Sequence, residues 1–243
     1  MTLPMLDVNH LNAWWGAVPS GGSDDTRSSA QALFDVSLKV AAGELVVLQG
    51  LNGAGKSTLL QAIIGIGPQI TGTISYQNSS IENWPAHRRA QAGLGFVAED
   101  RRLFAGLSVK ENLDIAARGD VASNLARALD LFPALKSMLA RPASQMSGGE
   151  QQMLAIARTL MTAPKLLLLD EPCEGIAPVL VESIAEALLG LRNQGMPMLV
   201  AEQNQILASR ADRVITLAAG QVTDRLTDRP TDRTTDRPND RPT

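Results

Sequence analysis

Gly50-Leu51-Asn52-Gly53-Ala54-Gly55-Lys56-Ser57-Thr58 decides how the rest of the chain is read. The stretch fits G-x-x-x-x-G-K-[ST], the spelling of a phosphate-binding loop. Glycines let the backbone wrap a polyphosphate with its N–H groups turned inward. Lys56 has the reach for β- and γ-phosphates, and the Ser57 hydroxyl suits Mg²⁺. Asn52, Ala54 and Thr58 complete the cradle. Leu45 to Leu48 predicts a buried strand before the loop. Thr58 to Ile64 predicts a helix after it, whose N-terminus adds its positive end to the anion site. The competing reading is a glycine-rich turn that matches by chance, and the downstream sequence argues against it.

Composition bounds the answer further. The chain has 243 residues, 44% of them apolar and 19% charged, as in an ordinary globular protein. A net charge of −3 points to neither nucleic acid nor a polybasic membrane anchor. The single cysteine, Cys173, excludes an intrachain disulfide and fits a reducing compartment. The start, Met1 to Asp7, lacks the basic region and apolar run of a signal peptide. No apolar stretch approaches the roughly 18 residues of a membrane helix. The expectation is a cytoplasmic protein that meets a membrane only through a partner.

Along the chain, Leu6 to Leu11 alternates weakly and predicts an edge strand. Trp14-Trp15 follows, and at least one of these rings needs an apolar or aromatic neighbour, in the core or against a base. Pro19 to Ser29 is polar and rich in turn formers, which predicts a flexible loop. Phe34 to Val40 alternates strictly, so two early strands form an antiparallel element beside a parallel sheet. Gly72 to Tyr76 and Leu94 to Val97 predict short strands. Between them, Pro85 to Ala92 is a short basic helix with a solvated face. Ser108-Val109-Lys110-Glu111 spells a capping box and opens a helical insertion reaching Ala140, broken at Pro133. After Ser147-Gly148-Gly149-Glu150, Met153, Ile156, Ala157 and Leu160 share one helical face. Leu166 to Leu169 is a buried strand ending in Asp170 and Glu171, where α/β sheets place their ligands. The remaining alternation of helix and strand predicts a mainly parallel sheet covered by helices.

At Thr223 the composition changes. Thr-Asp-Arg recurs at Thr223, Thr227, Thr231 and Thr235, with an Asn-Asp-Arg variant from Asn239. Pro230, Pro238 and Pro242 oppose a helix and almost nothing apolar is present, so 223–243 reads as a disordered tail.

The phosphate loop, Ser147-Gly148-Gly149-Glu150 and Leu166 to Pro172 stand in an order that resembles the ATP-binding subunits of ABC transporters, over about Leu6 to Val222. Met146 to Ile156, Glu99-Asp100-Arg101-Arg102-Leu103-Phe104 and Val200 to Asn204 look like the branched-chain amino acid (LivF-type) subgroup, with urea-uptake ATPases as the nearest competitor. The resemblance implies the P-loop NTPase fold: a mainly parallel core sheet, an antiparallel β subdomain and a helical subdomain at about 105–160. It implies an ATPase using ATP and Mg²⁺. Lys56 would hold the β/γ-phosphates, Ser57 and Asp170 the Mg²⁺, and Glu171 would be the general base. Ser147, Gly148 and Gly149 would face the ATP of a second, head-to-tail ATPase subunit, a paralogue or a copy. Two membrane permease subunits and a periplasmic solute-binding protein would complete the assembly, without nucleic acid.

Two positions and the C-terminal end depart from the family. Glu99 stands where most members carry glutamine, and Gln203 where most carry histidine; the subgroup tolerates both. Glu99 would still touch Mg²⁺ or water, and Gln203 would hydrogen-bond the γ-phosphate without carrying a proton. The adenine-stacking aromatic maps to Trp15. Past Val222 the family continues into a further helix, which the repeat replaces. A non-transport ABC ATPase and a hydrolysis-impaired ABC subunit are the competing functions.

Overall fold

The computed structural model describes residues 4–16 and 29–224. Most of the polar stretch from Pro19 and nearly all of the repeat tail lie outside the described residues. In chain order the elements begin with β1 (Leu6–Trp15), β2 (Ala30–Val40), β3 (Leu45–Gln49), α1 (Lys56–Ile64), β4 (Gln69–Tyr76) and β5 (Ser79–Ser80). Then come α2 (Ala86–Gln91), β6 (Leu94–Val97), α3 (Val109–Ala116), α4 (Val121–Leu131) and α5 (Gly148–Leu160). The chain continues through β7 (Leu166–Asp170), α6 (Pro178–Asn193), β8 (Met198–Ala201), α7 (Gln205–Arg210), β9 (Arg213–Ala218) and β10 (Gln221–Asp224).

These strands build two sheets. One is antiparallel with the order β2-β1-β4-β5. The other runs β10-β9-β3-β8-β7-β6; it is parallel from β9 to β6, and β10 returns antiparallel at one edge. The two-residue period of a strand sends alternate side chains to opposite faces. Val46, Leu48, Leu166, Leu168, Leu199 and Ala201 therefore pack with the antiparallel sheet and α1. Their neighbours Leu45, Val47, Leu167, Leu169, Met198 and Val200 pack with α5, α6 and the helices of 109–138. A strand buried on both faces explains the unbroken apolar run of β7, where each leucine contributes roughly 1.5–3 kcal/mol on leaving water.

Four local expectations change. β1 is an interior strand, paired with β2 on one side and β4 on the other. Its weak alternation could not show that partners 60 residues downstream in sequence, at Gln69 to Tyr76, would cover it. The helix α2 is not simply a solvated face. Arg89 is buried, and its guanidinium donates to the carbonyls of Ala62 (2.8 Å), Ile63 (2.7 Å), Glu82 (2.8 Å) and Trp84 (2.9 Å). It satisfies the Ile63 carbonyl at the C-terminal end of α1 and adds to the Gly65 N–H on the Ala62 carbonyl. Pro85 is the N-cap and the helix proper starts at Ala86. Lastly, β10 runs through Thr223 and Asp224, so the first repeat begins inside a hairpin with β9.

The helical insertion follows its sequence signals. The Ser108 hydroxyl accepts from the Glu111 N–H (3.2 Å), and the Ser108 N–H donates to Glu111 Oε2 (2.8 Å). Pro133 opens a 3₁₀ turn to Met138. Buried Asn112 on α3 binds the backbone of Phe104, Leu107 and Ser108, tying the segment after Glu99 to this subdomain. Among the described residues, no helix is long and apolar enough to cross a membrane.

Candidate functional site

The loop between β3 and α1 reaches its helix through Gly55, whose φ of 104° is a left-handed backbone suited to glycine. A side chain there would also meet Leu33 Cδ2 at 2.9 Å and the Ala32 carbonyl at 3.1 Å, so the loop is pressed against β2. Lys56, the first residue of α1, is buried and turned back over the loop. Its ammonium donates to the carbonyls of Gly50 (2.8 Å) and Leu51 (3.3 Å) and lies 2.9 Å from Glu171 Oε1.

β7 brings the two acids to the same place from the other side. Ser57 Oγ donates to Asp170 Oδ1 at 2.8 Å. Burial pushes the Asp170 carboxyl up to about 6; the charges of Glu99 and Glu171 push the same way, while the Ser57 bond and Lys56 pull it down. Glu171 follows with φ +45°, an uncommon backbone for a residue with a side chain. This turn aims its carboxylate back at Lys56. Gln203, just after β8, donates from Nε2 to Glu171 Oε1 (3.2 Å) and also to Asn52 Oδ1 of the loop. Strand order explains the meeting, because β8 lies between β3 and β7.

A cavity of about 580 Å³ opens over this cluster. Asn52, Gly53, Gly55, Lys56, Ser57, Thr58, Glu99 and Glu171 all line it. So do residues that no motif announced, including Gln31, Phe34, Glu174 and Gly220. Phe34 and Gly220 come together because the Phe34 N–H donates to the Gly220 carbonyl (2.8 Å). The Gly220 N–H in turn reaches the Ala54 carbonyl (2.9 Å), a pairing between distant segments that only the folded chain reveals. Phe34 is the aromatic of the cavity wall. Trp15 is not in that wall; its ring leans over Gly67 and its Nε1 donates to Thr58 Oγ1 at 3.4 Å. Gly50 and Ala54 face a second cavity on the far side of the loop, with Gln203.

Ser147, Gly148 and Gly149 do not line the first cavity. They form the N-terminal turn of α5, where Ser147 and Glu150 make a reciprocal capping box. Gly149 is required within the chain itself: a Cβ there would sit 2.3 Å from Leu180 Cδ1. Gly148 has more room, with its nearest neighbours, the Arg101 guanidinium nitrogens, 3.7 Å from such an atom. Ser147 is exposed and Gly148 half-exposed at this helix N-terminus, whose dipole favours an anion, while Gly149 is buried. Cys173 is buried after the acids, where burial pushes its thiol far up, and it is a packing residue in character.

Comparison with known proteins agrees with this geometry. The family profile described as ABC transporter matches residues 33–174. Over 223 residues the chain is 43% identical to the high-affinity branched-chain amino acid transport ATP-binding protein BraG of Pseudomonas aeruginosa, covering 90% of this chain and 91% of that protein. It is 36% identical to a probable branched-chain amino acid transport ATP-binding protein, LivF, of Archaeoglobus fulgidus, over 78% of this chain and 83% of the relative. Among solved structures, a dimeric post-hydrolysis ATP-binding cassette bound to ADP and phosphate superposes with a TM-score of 0.76 at 25% identity, covering 90% of this chain and 97% of that one.

Proposed function

The chain is an ATPase of the ABC transporter family, and we propose that it powers an importer of branched-chain or related amino acids. The observation that carries the solute class is the 43% identity to BraG across nearly the full length of both chains. The site supports the ATPase reading independently, since phosphoryl transfer needs positioning and charge neutralisation more than covalent chemistry.

In this reading the loop N–H groups and Lys56 cradle the phosphates. Ser57 and Asp170 offer a hydroxyl and a carboxylate, hard oxygen donors that fit Mg²⁺ held partly by substrate phosphates. When bound, that ion neutralises charge on the phosphate oxygens. Glu171 orients the attacking water and takes its proton, Gln203 hydrogen-bonds the γ-phosphate, and Glu99, in the cavity wall, would contact the ion or its water. Phe34 offers a ring to the nucleotide at the cavity wall, with Trp15 beside Thr58. The outward turn at Ser147 to Gly149 closes the ATP of a second subunit, so two chains complete two sites head to tail. Two permease subunits carry the solute and a periplasmic binding protein delivers it. The ATPase sits on the cytoplasmic face, held there by the permease. The ABC domain runs through β10 to Asp224, and the rest of the repeat follows it as a tail.

The test is ATP-dependent uptake of labelled leucine into vesicles holding the permease pair and the ATPase pair that includes this chain, with the solute-binding protein supplied on the outer side. Uptake and turnover are expected together, and Glu171→Gln is expected to stop both while ATP still binds. Turnover that persists in Glu171→Gln overturns the assignment of the base. Turnover without uptake of any branched-chain amino acid overturns the solute class.

A further inference from the structure

Glu202 belongs to none of the roles assigned above, yet it is nearly fully buried, with 2% of its surface exposed. Among the described residues, no lysine or arginine forms an ion pair with it. A buried carboxylate without a cation is costly unless hydrogen bonds satisfy it. Here three backbone N–H groups do so, from two separate segments. Oε2 accepts from Cys173 (3.1 Å). Oε1 accepts from Gln203 and from Asn204 (both 2.9 Å).

We propose that Glu202 is a positioning residue that fixes the loop carrying Glu171 against the loop carrying Gln203. The two loops leave adjacent strands, β7 and β8, and the ladder between them ends with the Glu171 N–H on the Ala201 carbonyl (2.9 Å). Beyond that point the Glu202 carboxylate takes over the task of the ladder. On one side it holds the backbone two residues after Glu171; on the other it holds the backbone of Gln203 itself. The side chains so placed meet directly, Gln203 Nε2 to Glu171 Oε1 at 3.2 Å. The clamp also maintains the left-handed turn at Glu171, φ +45°, which would relax if released. Burial raises the Glu202 carboxyl, and its backbone bonds oppose that rise.

Only a group with acceptors on both arms and no donors fits this position. A glutamine has one acceptor oxygen, and its amide would set N–H against N–H on one of the two segments. The inference rests on the reading of Glu171 as the general base.

The experiment measures ATP turnover and melting temperature of the full chain for Glu202→Gln, Glu202→Asp, Gln203→Ala, the Glu202→Gln/Gln203→Ala double variant and Glu171→Gln. Glu202→Gln is expected to lower kcat by roughly tenfold to a hundredfold, the loss for one unmatched buried donor, with KM for ATP nearly unchanged. Glu202→Asp, whose shorter arm cannot span both segments, is expected to fall between it and the parent. It serves as the reading should Glu202→Gln fail to fold. The double variant is expected to lose less than the sum of the single variants, because part of the Glu202 effect passes through the Gln203 side chain and part through the Glu171 loop. Full additivity, or either Glu202 variant turning over at the parental rate, overturns the proposal. If Glu171→Gln is inactive while Glu202→Gln is not, the clamp alone fails. If Glu171→Gln remains active, the base assignment fails.

Discussion

Lys56 Nζ lies 2.9 Å from Glu171 Oε1, with both side chains buried. The cation proposed to bind phosphate and the carboxylate proposed to activate water therefore hold each other. Removing one member of a buried pair leaves an uncompensated charge, at a cost of about 3–5 kcal/mol. Lys56→Met should destabilise the nucleotide-free protein on that scale in denaturant unfolding. Adding Glu171→Gln to Lys56→Met should restore part of the loss, because it removes the orphaned charge. A double variant less stable than Lys56→Met would contradict the pairing.

The proposed role of Asp170 as a Mg²⁺ ligand sets a pH window for metal-dependent binding. Its carboxyl is held up to about 6, chiefly by burial, so below that value it is protonated in the free protein. Mg²⁺ requires the ionised form. Affinity for Mg²⁺-ATP should be full above about pH 6 and weaken by up to about tenfold per pH unit below it, towards the ordinary aspartate value. Its own stability contribution has the opposite sense: it is present at low pH and lost as pH rises through about 6. Calorimetry with and without chelator checks this. A metal-dependent increment that does not change between pH 7 and pH 5 would refute it.

Gly148 and Gly149 should separate in experiment. Gly149→Ala drives a methyl into Leu180 and should cost about 1–3 kcal/mol of stability. Gly148→Ala has space and should alter stability by less than roughly 0.5 kcal/mol. It should still reduce turnover if this turn closes on a partner's nucleotide. Parental turnover in Gly148→Ala would argue against that contact.

Arg89→Met should lower stability by about 3 kcal/mol or more, since four buried or half-buried carbonyls each lose a hydrogen bond and only that of Ala62 keeps the Gly65 N–H. Arg89→Lys should rescue little, because an ammonium cannot reproduce the planar fork. Thermal unfolding of the two variants decides the matter, and a melting temperature for either within a degree of the parent would exclude the role.

What could be read in advance was local. The phosphate-loop spelling, the acids at the end of an apolar run and the Ser108 capping box each lie within a few residues. The structure realises them with shifts of one or two positions. What escaped depends on distant partners. Arg89 looked like one more surface charge until the end of α1 was placed beside it. Phe34 and Gly220 carry no motif, yet a backbone bond between them builds the cavity wall. Glu202 stood inside a quoted stretch without a role, because its three N–H donors lie in two loops. β1 gave no sign of its second neighbour. Trp15 was singled out for its ring, which sits beside Thr58 and Gly67, while Phe34 in the cavity wall went unremarked.

The order of the parallel sheet also governs when the nucleotide site can come into being. β3 has β8 on one side and β9 on the other, paired through Leu45 to Gln49 with Met198 to Ala201 and Arg213 to Thr216. A nascent chain that has displayed the whole phosphate loop still lacks both neighbours of the strand that supports it. Even once β7 has been made, an empty slot separates it from β3 until β8 follows at Met198 to Ala201. Such long-range closure is slow and leaves apolar edges exposed meanwhile. The growing protein should therefore remain unable to grip ATP until more than four-fifths of it has left the ribosome, and truncated products ending before β8 should be targets for chaperones and proteases rather than idle nucleotide traps.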